Sequence, residues 1–208
     1  MAELSAQTPR YFRGGCEAMA LDEILTAIWL KLSDAVEAQS AAWRLPVLGS
    51  ISDNGPDLRT VVLRELDADA WTLTCYTDSR SAKVRQLTAN PRLSWLFYCP
   101  NERIQLRAYG VAAIATSGPE VAAAWESVPA FSRRNYLTEE PPGTTANCRV
   151  DVGGLNGDAD YFATGINNFA ILSCALSELV WLSVDGQTQV SAIFKQTPDG
   201  VTSAWRVP

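Results

Sequence analysis

Arg59-Thr60-Val61-Val62-Leu63-Arg64 is the stretch on which the reading of this chain turns. Three β-branched residues and a leucine lie between two arginines, a composition that suits a strand. Residues five apart on a strand point to opposite faces and lie roughly 16 Å apart at about 3.3 Å per residue. Two cations so placed cannot clamp one phosphate. They can mark the ends of a long ligand lying along the strand, with a phosphate at one end and a ring system at the other. Solvated or ion-paired strand arginines are the plainer alternative.

Two further blocks follow. Tyr76-Thr77-Asp78-Ser79-Arg80-Ser81-Ala82-Lys83 runs off a strand into a helix start. Free backbone N–H groups and the positive end of the dipole favour an anion there. Thr77, Ser79 and Ser81 add hydroxyls, and Arg80 and Lys83 add charge. The bland version is a capped helix with surface cations. Glu102-Arg103-Ile104-Gln105-Leu106-Arg107 places a neutral amide, Gln105, on an otherwise apolar strand. It suits the polar edge of a ring system, or equally a cross-strand hydrogen bond.

Around these blocks, periodicity predicts a mainly β chain. Apolar residues at helical spacing over 21–41 predict an amphipathic helix. Strands are expected over 45–51, 58–65, 71–77, 93–99 and 103–116, the last bent at Gly110. A helix over 81–90 starts at Ser81 as N-cap and stops before Pro91. Short helices are expected over 118–126 and 130–137, then a long loop over 138–160. Four strands close the chain, over 169–175, 179–184, 190–196 and 201–207, with turns at Asp185-Gly186 and Asp199-Gly200. About eight short strands with helices inserted after the fifth suggest a barrel. The domain expectation is an arm over 1–20 and one domain over 21–208.

Composition narrows the function classes. Hydrophobic residues make up 47% of the 208 residues, which supports a real core without disulfide staples. A net charge of −6 argues against tracking nucleic acid through phosphate neutralisation, while leaving room for a local basic pocket. Five widely spaced cysteines without a Cys-x-x-Cys pair read as free thiols in a reducing compartment. The absence of histidine removes imidazole acid–base chemistry, histidine-bearing triads and histidine metal sites. Chemistry then falls to a cofactor, or to a carboxylate or cysteine. The first residues lack a basic flank before an apolar run, and no stretch of about 18 apolar residues occurs; a cytoplasmic protein with no membrane span is expected.

Taken in order, 59–64, 76–84, Asn90-Pro91-Arg92 and 103–110 resemble the pyridoxamine 5′-phosphate oxidase-like FMN-binding family, in its branch with an N-terminal helix. The resemblance implies a split β-barrel, mainly β within the α+β class, that forms a homodimer with FMN at the subunit interface. It assigns the phosphate to Arg59, Ser81 and Lys83, helped by Arg80. The Thr60–Arg64 stretch and the Tyr76-Thr77 pair would line the ring and ribityl chain, through the backbone of Val61, Val62 and Leu63. Gln105 would meet the polar edge of the flavin. Trp181 would approach it from the C-terminal strands, with a core tryptophan as the alternative.

The match breaks after Trp181. The family's oxidases carry an Arg-x-His element and a further arginine there, whereas this chain reads Gln187-Thr188-Gln189-Val190-Ser191. Losing charge-assisted contacts to a dianionic substrate costs several kcal/mol. Efficient oxidation of pyridoxine phosphate is therefore not expected. The resemblance also offers Ser132, Arg133 and Arg134 as residues reaching the flavin of a partner subunit, against solvated helix charges. An FMN-dependent oxidoreductase on an unknown small molecule is the first expectation. A flavin or deazaflavin binding module without dedicated turnover is the alternative.

Overall fold

Leu21–Glu37 forms α1, which turns Ile24, Ala27, Ile28, Leu32 and Ala35 into the core. Glu23 accepts the Ala20 N–H at 3.0 Å and so satisfies an open donor of the first turn. The helix stops short of residue 41 because Arg44 folds back on its end. The Arg44 guanidinium donates to Ala35 O at 3.0 Å and also to Val36 O. The computed structural model describes residues 20–150, 163–185 and 188–208. The expected arm, apart from Ala20, lies outside the described residues. So do the second half of the 138–160 loop and Gly186 and Gln187.

The described strands are β1 (Val47–Ser52), β2 (Gly55–Thr60), β3 (Glu65–Asp67), β4 (Thr72–Asp78), β5 (Arg92–Cys99), β6 (Ile104–Ala115), β7 (Phe169–Asp185), β8 (Thr188–Thr197) and β9 (Gly200–Arg206). Helix α2 (Ala82–Ala89) joins β4 to β5; α3 (Pro119–Ser127) and α4 (Ala130–Arg133) follow β6. The strands make one nine-stranded antiparallel sheet. Its main path runs β2-β1-β5-β6-β7-β4-β3, and β8 and β9 extend from β7. The path does not return on itself. Its two ends, β2 and β3, are consecutive in sequence and are joined by residues 61–64.

Four expectations change here. The strand over 58–65 is broken: β2 ends at Thr60 and β3 begins at Glu65. In the intervening chain the Val61, Leu63 and Arg64 amides stay hydrogen-bonded but change partners. The two strands expected over 169–175 and 179–184 are one strand of 17 residues, β7. A register shift opposite Tyr109 and Gly110 leaves Ser177 as an extra residue, and its hydroxyl donates to Tyr109 O at 3.3 Å. The interruption in the β pattern is thus a bulge. The expected helix over 130–137 is a four-residue α4 followed by a 3₁₀ turn, Arg134–Tyr136. Finally, the inserted helices follow the sixth strand.

The main core gathers α1, Trp43, Trp95, Phe97, Trp181 and Phe194 inside the sheet. A smaller cluster forms where α3 covers β7, around Val121, Trp125, Val128 and Phe169. Tyr76, Trp125, Tyr136 and Phe169 meet edge-on in it, with ring centroids 5.0–5.5 Å apart. Among the described residues, no helix is long and apolar enough to cross a membrane.

Candidate functional site

The β1–β2 hairpin and the start of α2 converge on one basic corner. Register pairs Ser50 with Asp57 and Leu48 with Arg59, so Ser50, Asp57 and Arg59 share a face. Helix α2 packs against that face. Arg59 donates to Ser50 Oγ at 2.6 Å and to Gln86 Oε1 at 3.3 Å. It pairs with the Asp57 carboxylate at 2.6 Å. Gln86 donates to Asp57 at 2.8 Å and accepts from Ser50 at 2.6 Å, closing the network.

Lys83 stands on the same side. Its ammonium donates to Thr77 Oγ1 at 2.9 Å and to Ser81 Oγ at 3.3 Å, and those two hydroxyls are 3.4 Å apart. Thr77 and Ser81 are buried. Burial, and then the nearby Arg59 charge, push the Lys83 pKa below the ordinary lysine range. Ser81 sits at the N-cap position of α2, but its side chain makes no capping bond. The hydroxyl is turned to the lysine, and the Val84 amide donates to Ser81 O, which leaves the Ala82 and Lys83 amides to an incoming group. Two cations, two buried hydroxyls and open helix amides suit a phosphate, against the carboxylate of Asp57 and that of Asp78, which Arg80 takes up.

Arg64 serves a different corner. Val61 N–H donates to Pro46 O and Leu63 N–H to Arg44 O, both at 3.0 Å, whereas Arg64 N–H donates to Thr74 O on β4 at 2.9 Å. Alternation along an extended chain explains this change of side. Leu63 is buried in the core, and Thr60 is exposed. The Arg64 guanidinium lies 5.5 Å from the centre of the Tyr76 ring. Tyr76 O–H donates to Glu65 at 2.7 Å. Burial pushes the Tyr136 phenol up to about 12, with the Arg64 charge pulling the other way. The structure therefore brings Arg59, Thr77, Ser81 and Lys83 together, and Arg64 and Tyr76 together elsewhere.

The remaining candidates lie apart. Arg80 is taken up by its own chain: it grips Asp78 at 3.0 and 2.7 Å and Thr138 O at 2.8 Å. Gln105 is half-buried and pairs across β5 with Tyr98. That puts it on the sheet face opposite Arg59, because Leu96 follows the Tyr98 face and pairs with Val47, whereas Arg59 pairs with Leu48. Trp181 is 0% exposed and packs in the core between Leu106 and Ala192. Arg133 donates to Val128 O and Glu126 O at 2.9 and 3.0 Å, closing the end of α3.

Sequence reasoning missed Ser50, Asp57 and Gln86. Gln86 lies three residues beyond Lys83, hence on the same helix face. Asp57 lies two before Arg59, hence on the same strand face. Both signals were present in the spacing. Ser50 needs the hairpin register, which spacing does not supply.

Residues 26–116 match the family described as pyridoxamine 5′-phosphate oxidase, FMN-binding domain. The pyridoxine/pyridoxamine 5′-phosphate oxidase of Aeromonas hydrophila is 37% identical over 89 residues, 42% of this chain and 41% of that protein. The enzyme of the same name from Rhodopseudomonas palustris is 34% identical over 87 residues, 41% of this chain and 39% of that protein. The chain thus spans about two fifths of the length of these relatives. Among solved structures, a pyridoxamine 5′-phosphate oxidase-related, FMN-binding protein of Nostoc punctiforme superposes with a TM-score of 0.70 at 24% identity, covering 91% of this chain and 100% of that one. PhzG of Burkholderia lata, in complex with tetrahydrophenazine-1-carboxylic acid, gives 0.66 at 14% identity, covering 98% of each chain. At these identities the superpositions speak for the fold. The open nine-stranded sheet is a split barrel, and over residues 26–116 the chain matches the pyridoxamine 5′-phosphate oxidase FMN-binding domain family, whose cofactor is FMN.

Proposed function

We propose that this chain holds FMN between two copies of itself and acts as an oxidoreductase on a small molecule other than pyridoxine 5′-phosphate. The observation that carries the reading is the basic corner, where Lys83 has two buried hydroxyls and no carboxylate within ion-pairing distance among the described residues. A dianionic phosphate would complete it, with Arg59, Ser81, Thr77 and Lys83 as ligands and Ser50 and Gln86 as supports. Bound there, FMN would supply hydride-transfer chemistry that amino-acid side chains do not provide.

The switch of partners in residues 61–64 supports the ring end. Val61 and Leu63 donate toward residues 44–46. By alternation the Val62 amide between them points the opposite way, to the side on which the Arg64 amide bonds β4. It is a backbone donor suited to a flavin edge. Arg64 and Tyr76 form the far wall.

One face of the sheet supports the second copy. The face carrying Gln105 also carries Leu58, Leu96, Tyr98 and Val111, all exposed. A recess of about 200 Å³ lies in it, lined by Val47, Gly49, Leu58, Leu96, Arg107 and Tyr109. The Arg107 Nε atom is buried there without a hydrogen-bond partner among the described residues. An apolar face with an orphaned guanidinium N–H favours a protein partner that supplies an acceptor. Pairing two copies through it would bring Gln105 of one subunit toward the flavin of the other. The substrate claim rests on the missing cations after Trp181, and the buried thiols Cys75, Cys99 and Cys174 fit a cytoplasmic setting.

Purification tests the reading. Yellow protein that releases FMN on heating is expected. Colourless protein that leaves the fluorescence of added FMN unquenched would overturn it. Anaerobic bleaching by NADH or NADPH, reversed by air, is expected of an oxidoreductase; a flavin or deazaflavin holder would show neither. Turnover of pyridoxine 5′-phosphate at rates ordinary for the oxidases would sink the substrate claim.

A further inference from the structure

Arg80 sits one residue before Ser81, where a phosphate contact would be easy to suppose. Its guanidinium is committed elsewhere. Nε and Nη2 form a two-point pair with Asp78, at 3.0 and 2.7 Å. Nη1 donates to Thr138 O at 2.8 Å and Glu139 O at 3.2 Å, and Nη2 to Thr138 Oγ1 at 3.2 Å. The Arg80 amide also donates to Asp78 Oδ1 at 2.8 Å. Asp78 is buried, so the pair is partly shielded from water.

The same turn is tied at a second point. Ser79 N–H donates to Asn168 O at 2.8 Å, and Asn168 Nδ2 donates to Tyr136 O at 2.8 Å. Tyr136 packs on Trp125 and Phe169, and Phe169 packs on Tyr76. Residues 136–139 are therefore bolted through Arg80 and Ser79 to the turn that sets Ser81 and Lys83. Through the aromatic cluster the same segment reaches Tyr76 and Arg64.

We infer that Arg80 and Asp78 are positioning residues: they are a latch that fixes the 136–139 segment against the turn before α2, and Arg80 is not itself a phosphate ligand. A planar fork fits a carboxylate and two carbonyls at once, which a lysine cannot reproduce. The inference rests on the FMN reading for its binding readout.

The sign of one substitution decides the matter. Asp78→Asn removes a negative charge beside the basic corner. If Arg80 were a phosphate ligand held back by Asp78, this change would free it and tighten FMN binding. The latch requires the opposite, a Kd for FMN raised about tenfold, by loss of the charged partner. Arg80→Ala should raise Kd by a similar factor, and Arg80→Lys should fail to restore it. Thr138→Val, which changes no charge and lies outside the phosphate corner, should shift Kd in the same direction by a smaller factor. Tighter binding in Asp78→Asn, or rescue by Arg80→Lys, overturns the inference. Should Asp78→Asn fail to fold, the Arg80 and Thr138 variants carry the test. If wild-type protein binds no FMN, the functional reading fails by itself. The latch is then read from limited proteolysis of residues 138–150, which Arg80→Ala should accelerate and which unchanged cleavage would refute.

Discussion

Replacing Lys83 by methionine should weaken flavin binding without weakening the fold. The ammonium donates to Thr77 and Ser81 and has no carboxylate within ion-pairing distance among the described residues, and burial already depresses its pKa. The sign follows. A lysine whose folded pKa lies below its unfolded value makes the folded state poorer by a cost that is full below the folded pKa. That cost fades as pH rises from the folded value to the unfolded one. Methionine keeps the length of the side chain and removes the charge, so the melting temperature of the flavin-free protein should hold or rise at pH 7. The phosphate, however, loses a charge-assisted hydrogen bond, about 1.5–3 kcal/mol. At about 1.4 kcal/mol per decade this is roughly a ten- to hundredfold rise in Kd for FMN. Riboflavin, which has the ring and lacks the phosphate, should bind wild type and variant alike. Fluorescence titration with both flavins, beside a thermal melt without flavin, reads all three quantities. Unchanged FMN affinity, or an equal loss for riboflavin, would refute the placement of the phosphate.

Three other outcomes follow from the same geometry. FMN affinity should climb as the phosphate loses its second proton near pH ~6, and fall on the alkaline side earlier than an ordinary lysine titrates, because Lys83 gives up its proton early; titrations from pH 5 to 10 check both limbs, and Lys83→Met should erase the alkaline one. Leu58→Glu, on the exposed face that carries Gln105, should convert a dimer to monomer in sedimentation equilibrium and weaken FMN binding with it. Gly110→Ala places a Cβ against the Ala175 carbonyl and 2.7 Å from Cys174 Sγ at the β6–β7 bulge; a stability loss of about 1–3 kcal/mol is expected in urea unfolding.

Much of the architecture was legible because it rests on local pattern. The α1 face, the β1–β2 turn at 52–56 and the helix start at Ser81 each follow from spacing or turn chemistry, and each is present. The failures are equally physical. A β-rich run such as 59–64 says that the chain is extended, not which neighbour it bonds to, and here the neighbour changes midway. The Leu176-Ser177-Glu178 interruption looks like a strand end, because a bulge is defined by the partner strand, in this case at Gly110. At the site, Lys83 and Ser81 could be read from the start of a helix. Arg80 could not be placed, since its acceptors Thr138 and Glu139 lie 58 and 59 residues away in sequence.

The break at 61–64 connects these threads. A barrel that closed by hydrogen bonds would have no free backbone edge at this point, and a continuous β2–β3 strand would spend every amide on neighbours. Here β2 and β3 occupy opposite ends of the strand path, and one short extended segment spans between them. Its amides divide: Val61 and Leu63 hold the β1 side and Arg64 takes β4. By alternation Val62 is left facing the opening. Arg59 at one end of the span then belongs to the basic corner with Lys83, and Arg64 at the other belongs to Tyr76. The two arginines that flank the segment in sequence are separated because the fold splits between them. A ligand with a charged tail and a flat polar ring is the shape that such a split accommodates.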